Sequence, residues 1–325
     1  MSLSTSNSKT VSTDSTSEIH SIYRAISIGL LLLLGYHVLV KQRVVPATSG
    51  INQAQSNAIK AQKYVYENPS PKLILVGSSL TATIKPKDIG NHVINLGMAG
   101  GSSQTGLEIV KREKLKSAIL LVEINETIER QLDKQLLDSI YEPVSHFSQL
   151  HFPMLRQEYK PVDVLVQTVK NGLKSSQKKE KDEPPEKAEK FNTKLREKVL
   201  AEQVSAKMQP LSESEQETLK TAAKSIKTQI AELQKQGVRV ILYDVPGEKQ
   251  VKNTIEEKQI QQIMREEFPA DAYEWLPAPT SKNWVTSDGS HLISSDAQAY
   301  AVFLRDKLLN TPFSVSRKPG TTQLE

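Results

Sequence analysis

The sequence predicts a three-layer α/β/α fold built on a parallel sheet, preceded by one transmembrane helix. Three observations carry this. Short, wholly apolar runs recur at 72–76, 92–96, 118–122 and 237–244, each bounded by turn residues. Amphipathic helical patterns separate and follow them. A strand covered on both faces reads as a continuous apolar run, so the pattern indicates a parallel sheet between helices, with right-handed crossovers. A longer apolar stretch stands alone near the N-terminus.

Residues 1–20 are rich in Ser and Thr and predict a disordered tail, because they hold too little apolar surface to offset ordering. Ile22, Tyr23 and Arg24 lead into an apolar run at 25–40, closed by Lys41 and Arg43. That approaches the ~20 residues needed to cross a ~30 Å hydrocarbon core. A helix apolar all round, between a polar tail and cations, has no obvious protein partner. A cleaved signal peptide is the rival, but the tail is long for one and Val45-Pro46-Ala47 is a poor cleavage site. The segment 21–43 therefore reads as an uncleaved signal anchor, with residues 22–40 contacting the membrane. Lys9 and Arg24 precede the run while Lys41 and Arg43 follow it, so charge leaves the orientation open.

The main domain is expected over 52–312. It opens with a helix at 52–68, followed by the strand 72–76, bounded by Pro71 and Gly77. The strand 92–96 ends at Gly97, a helix covers 103–116 with Leu107 and Val110 on one face, and the strand 118–122 follows. Leu219, Ala223, Ile226, Ile230 and Leu233 recur at helical spacing before the strand 237–244, and Tyr300, Phe303, Leu304 and Leu308 do so near the end. The wide gap between the last two strands predicts an insertion at about 141–210. Its middle, 175–190, is charged, contains Pro184-Pro185 and reads as a solvated excursion. Its first part carries His146, Phe147, His151, Phe152 and Pro153, an ordinary packed loop or a lid. Residues 313–325 are expected to fray.

Composition narrows the chemistry. The net charge is +5, but cations are interspersed with carboxylates and form no aromatic-interleaved block, so nucleic acid is not expected as a partner. There are no cysteines, which excludes disulfides and cysteine-based zinc sites. No cofactor or metal is expected.

Acyl transfer needs a nucleophile, a base, a group to orient the base, and donors for the oxyanion. In a parallel sheet such groups gather at the carboxyl ends of strands. Gly77-Ser78-Ser79-Leu80 follows the first strand, Asn95-Leu96-Gly97-Met98-Ala99-Gly100-Gly101 the second, and Glu123-Ile124-Asn125 the third. Each alone is an ordinary turn. Near the C-terminus stands Asp288-Gly289-Ser290-His291, where an Asp three residues before a His on a tight loop can reach its imidazole. Among six histidines, His20 and His37 lie in the tail and the apolar run, and His92 lies at the wrong end of its strand. His146 and His151 lack a matching carboxylate pattern beyond Glu142, which leaves His291 as the base.

The order of these blocks resembles the SGNH (GDSL-like) hydrolase family, which shows a Gly-x-Ser-Leu block, a Gly block, an Asn block and a final Asp-x-x-His. The resemblance runs from Pro71 to Leu309, outside the insertion. It implies a flavodoxin-like strand topology and a Ser79–His291–Asp288 triad. It also implies an oxyanion hole made by the Ser79 and Gly100 N–H groups and the Asn125 amide. Ser78 stands where the family usually has Asp, and Glu123 where it usually has Gly, so Glu123 would narrow or charge the pocket if it points inward. These departures look like the anchored extracytoplasmic branch that modifies surface polymers, as in alginate acetylation or wall D-alanylation. The resemblance thus implies an esterase or O-acyltransferase, acetyl being the expected group. It would act outside the cytoplasm on an acyl ester or polysaccharide, with a membrane acyl-export protein as partner. A catalytically silent polymer-binding or scaffolding domain is the alternative. A nucleotide-binding protein using 97–101 as phosphate loop fails on spacing and on the missing lysine.

Overall fold

The computed structural model describes residues 15–67, 70–114, 118–178, 193–279 and 282–308. Each apolar run forms a strand starting slightly inside it: β1 (Leu73–Gly77), β2 (Val93–Gly97), β3 (Ile119–Glu123) and β4 (Arg239–Tyr243). All pairings are parallel, in the order β2-β1-β3-β4. Beyond β4, Trp275 makes a single parallel bridge to Leu242, so the extended chain there continues the sheet by one rung.

Alternation along the strands sends side chains into two separate cores. Ile74, Val76, Leu120, Val122, Val240 and Leu242 join one buried cluster; Leu73, Leu75, Ile119, Leu121, Ile241 and Tyr243 join the other. The first cluster is completed by α2 (Gln53–Tyr66), α5 (Ser103–Arg112), α10 (Glu213–Lys235) and α12 (Ile255–Glu267). The second is completed by the short α3 (Ser79–Ala82) and α4 (Pro86–Ile89) and by α13 (Ser294–Leu308). Burial on both faces is why the strands lack period-two polarity. Helix α10 starts at a capping box, Ser212 and Glu215 satisfying each other's exposed N–H groups.

Helix α1 (Ser15–Lys41) contains one stretch, Ile19–Lys41, long and apolar enough to cross a membrane. It begins inside the segment expected to be tail: residues 15–20 are helical. Once the apolar run holds a helix, each added residue gains a hydrogen bond for little further ordering, so the helix extends outward. Residues 1–14 lie outside the described residues. At its other end α1 meets the domain, where Val40 is buried.

The predicted insertion is largely helical where described. It holds α6 (Lys134–Tyr141, overlapping its start), α7 (Pro143–His151), 3-10 turns at Pro153–Leu155 and Gln157–Tyr159, α8 (Pro161–Lys178) and α9 (Thr193–Ala206). Of the stretch expected to be a solvated excursion, residues 175–178 continue α8, while 179–192 lie outside the described residues, as do 309–325 and the expected frayed tail. A short α11 (Lys249–Lys252) precedes α12.

Candidate active site

The turn from β1 into α3 places Ser79 at the carboxyl edge of the sheet. Ser78 has extended backbone and caps the helix, its Oγ accepting the Leu80 N–H at 3.1 Å. Ser79 opens the helix, so its own N–H is one of the donors with no partner inside it. Beneath the turn lies the carboxylate of Glu123, which ends the neighbouring β3 and is fully buried. It accepts the Ser78 N–H at 3.1 Å, the Ser78 hydroxyl at 2.6 Å, the Thr81 N–H at 3.2 Å and the Asn125 amide at 2.9 Å. The Thr81 hydroxyl donates to it as well. Glu123 therefore points under the turn rather than into the pocket, though its charge still helps to raise the His291 pKa. It points under the turn because unpaired backbone donors are there to receive it. Gly77 leaves the room: a Cβ there would stand 2.8 Å from Glu123 Cβ.

Asp288 and His291 share a narrow hairpin closed by a bridge between Thr286 and Leu292, with Ser287 N–H donating to His291 C=O at 2.7 Å. Asp288 Oδ1 accepts the Ser290 and His291 N–H groups at 3.1 and 2.8 Å. Its Oδ2 lies 2.7 Å from His291 Nδ1, and His291 Nε2 lies 2.8 Å from Ser79 Oγ. With the ring proton on Nδ1 facing Asp288, Nε2 is free to accept the serine proton. The hydrogen bond to Asp288 raises the His291 pKa above its ordinary value, against burial and the nearby Arg130 charge, which lower it. Burial pushes the Asp288 carboxyl up, but the hydrogen bonds from His291 and Ser290 outweigh it and hold the group at about 2.

The hairpin is braced from outside. Glu248 accepts the Thr286 N–H at 3.2 Å and hydroxyl at 3.0 Å. Arg196, on α9, donates to Glu248 at 2.6 Å and to Thr286 C=O at 2.6 Å. The far part of the insertion thus supports the site.

Gly100, on the loop after β2, has φ +74°, a conformation that favours glycine. That loop is clamped from α2: Asn57 donates to Ala99 C=O and accepts Ala99 N–H, both at 2.9 Å, and Lys60 Nζ donates to Gly97 C=O at 2.9 Å. Asn125 stands where expected, yet its amide is engaged, donating to Glu123 at 2.9 Å and to Asp244 at 3.3 Å. Its Oδ1 accepts the Thr127 N–H at 3.0 Å. Two carboxylates at adjacent strand ends draw the amide between them. Sequence reasoning missed Asn57, Arg196 and Arg130, whose Nη1 donates to Gly101 C=O at 3.3 Å. A cation or amide in a polar helix, as Arg196 and Asn57 are, or in a bend, as Arg130 is, carries no periodic signal.

The other described histidines considered as bases lie elsewhere. His146 packs against Tyr66 and Tyr141, His151 against Phe147, and His37 against Phe152. A cavity of about 610 Å³ opens on the far side of Asn125, walled by Asp244, Gly247, Trp275, Trp284 and Tyr300, among others; Ser79 and His291 are not in its wall. Among the described residues, no group of three or more His, Cys, Asp or Glu side chains could hold a metal ion. Compared with known proteins, the chain matches no family model, no curated protein and no solved structure.

Proposed function

We propose that this protein is a membrane-anchored serine esterase or O-acyltransferase of the SGNH type. The observation that carries the reading is His291, whose two ring nitrogens meet Asp288 and Ser79 at 2.7 and 2.8 Å. A sheet with separate cores on its two faces and the order β2-β1-β3-β4 supports the three-layer, flavodoxin-like arrangement that this reading implies. Where the family usually carries Asp before its nucleophile, Ser78 with the Glu123 carboxylate beneath it holds the turn instead.

In this mechanism His291 Nε2 takes the Ser79 hydroxyl proton as Oγ bonds to the carbonyl carbon of an ester or thioester. The Ser79 and Gly100 N–H groups meet the oxyanion; each such donor is worth ~10²–10³-fold in rate. Asn125 joins them once the oxyanion displaces Asp244, the longer of its two contacts. Collapse expels the alcohol or thiol, which receives the proton from His291 and leaves acyl-Ser79. Water or a sugar hydroxyl then gives up its proton to His291 and takes the acyl group, and His291 returns that proton to the departing Ser79 oxygen. The resemblance, together with the single span at Ile19–Lys41, favours an extracytoplasmic domain acting on a surface polysaccharide. A membrane protein that exports the acyl group, acetyl in the first instance, would then supply it.

The engaged Asn125 amide favours a second reading, a silent domain that binds polymer or scaffolds an envelope complex. Fluorophosphonate labelling of the full-length protein separates the two. Labelling lost in Ser79→Ala and kept in Ser78→Ala supports the enzyme; a folded wild-type protein that takes no label supports the silent domain.

A further inference from the structure

Helices α7 and α8 present apolar side chains that nothing among the described residues covers. On α8, Val162, Leu165, Val166 and Val169 are 70%, 65%, 37% and 58% exposed. Their spacing of three and four forms one helical stripe of the kind that ordinarily faces a core. On α7, Val144, Phe147 and Leu150 are exposed, and Phe152 and Leu155 continue the surface through the following turn. Apolar side chains left exposed in such numbers on a protein mark an interaction site.

Its position identifies the occupant. The turn joining α7 to α8 is where α1 meets the domain: His37 lies edge-on to Phe152 at 5.6 Å, and Tyr36 Oη donates to Tyr159 C=O at 2.6 Å. The apolar surface therefore begins at the foot of the apolar span. Its charge fits as well. Within 143–169 the only carboxylates are Glu158 and Asp163. Both are buried, Glu158 paired with Lys63 and Asp163 with the Gln55 amide. Lys160 is exposed there, with Lys41 and Arg43 at the end of α1. Apart from Glu142, which caps the start of α7, the surface carries no exposed anion and lies beside cations, which suits the interface of an anionic bilayer.

We propose that α7, α8 and the turn between them lie in the membrane surface beside α1, their apolar residues sunk among headgroups and upper acyl chains. The proposal rests on α1 spanning the membrane. Two attachments fix orientation where a single helix would leave the domain free to swing, so the mouth of the site would keep a set distance from the bilayer.

The test uses the full-length chain, whose lack of cysteine permits single labels without background. Leu32→Cys, Phe147→Cys, Leu165→Cys and, as a remote exposed position, Gln234→Cys each carry an environment-sensitive fluorophore. Each is reconstituted into phosphatidylcholine–phosphatidylglycerol vesicles. The expected result is quenching at 32, 147 and 165 by spin-labelled lipid with shielding from acrylamide, and the reverse at 234. Quenching by lipid at 32 with open access of acrylamide to 147 and 165 overturns the proposal and leaves the anchor standing. Shielding of 147 and 165 from both quenchers means that protein covers the face and also overturns it. A label at 32 that acrylamide reaches refutes the anchor, and the proposal with it.

Discussion

Glu123 Oε1 accepts the Ser78 hydroxyl at 2.6 Å, from below a turn whose next residue is Ser79. A strand-end carboxylate thus holds the backbone that aims the serine, without touching the serine side chain. Replacing one carboxylate oxygen by an NH2 group would turn a donor toward donors. Glu123→Gln is expected to cost about 1–3 kcal/mol, the scale of a buried group left unsatisfied. Fluorophosphonate labelling should slow with it, while Ser78→Ala should be milder on both counts. Urea denaturation and labelling rates of the two variants check this.

The pH dependence follows from His291. The base must be neutral, so labelling should fall as pH drops through the imidazole pKa, which Asp288 raises above 6.5. Asp288→Asn removes that partner. The acid limb should move to lower pH and the rate should drop by about 10³-fold or more. An unshifted limb in Asp288→Asn would assign the titration to another group.

Stability should carry the opposite signature from the same pair. The raised His291 pKa contributes stability below 6.5, and that contribution fades as pH rises through the folded value. Asp288, held at about 2, contributes above its ordinary 3.8 and loses the contribution as pH falls toward 2. Denaturation of wild type and His291→Gln across pH 3–9 should show a difference that narrows at the alkaline end.

Asn57 touches no expected reacting atom, but it holds both polar groups of Ala99, one residue before Gly100. Asn57→Ala frees that loop. A shift of a fraction of an ångström in an oxyanion donor should slow labelling by about 10–10²-fold. Asn57→Asp, which can accept the Ala99 N–H but not donate to its carbonyl, should fall between the two.

Gly77→Ala would drive a methyl group against the Glu123 side chain, 2.8 Å from its Cβ. Overpacking of this kind costs about 1–3 kcal/mol. Thermal unfolding should show the loss, and labelling of the protein that remains folded should slow, because the serine turn and Glu123 must move apart.

The sheet was legible because all four strands are covered on both faces, which leaves continuous apolar runs between turn residues. Ser79 and the Asp288–His291 pair were legible because strand ends and a spacing of three on a tight turn are local features. What was hidden depends on register. Glu123 reads as a charge in a pocket until β3 is set beside β1, which brings it under Ser78 and Thr81. Asn125 reads as a free donor until β4 places Asp244 beside it. The charge-rich insertion masked the regular stripe on α8 and the single arginine of α9 that grips the hairpin.

Ser79 and His291 are separated by 212 positions in the chain. Joining ends so far apart costs little more entropy than a short closure, since each doubling of a loop adds only about 0.6 kcal/mol. The larger consequence is one of timing. A ribosome makes the serine 212 positions ahead of its base, and the hairpin needs Arg196 and Glu248 in place as well. Through synthesis and any passage across a bilayer, the chain carries an ordinary alcohol. Under the proposed mechanism the serine would gain its base only when folding is complete.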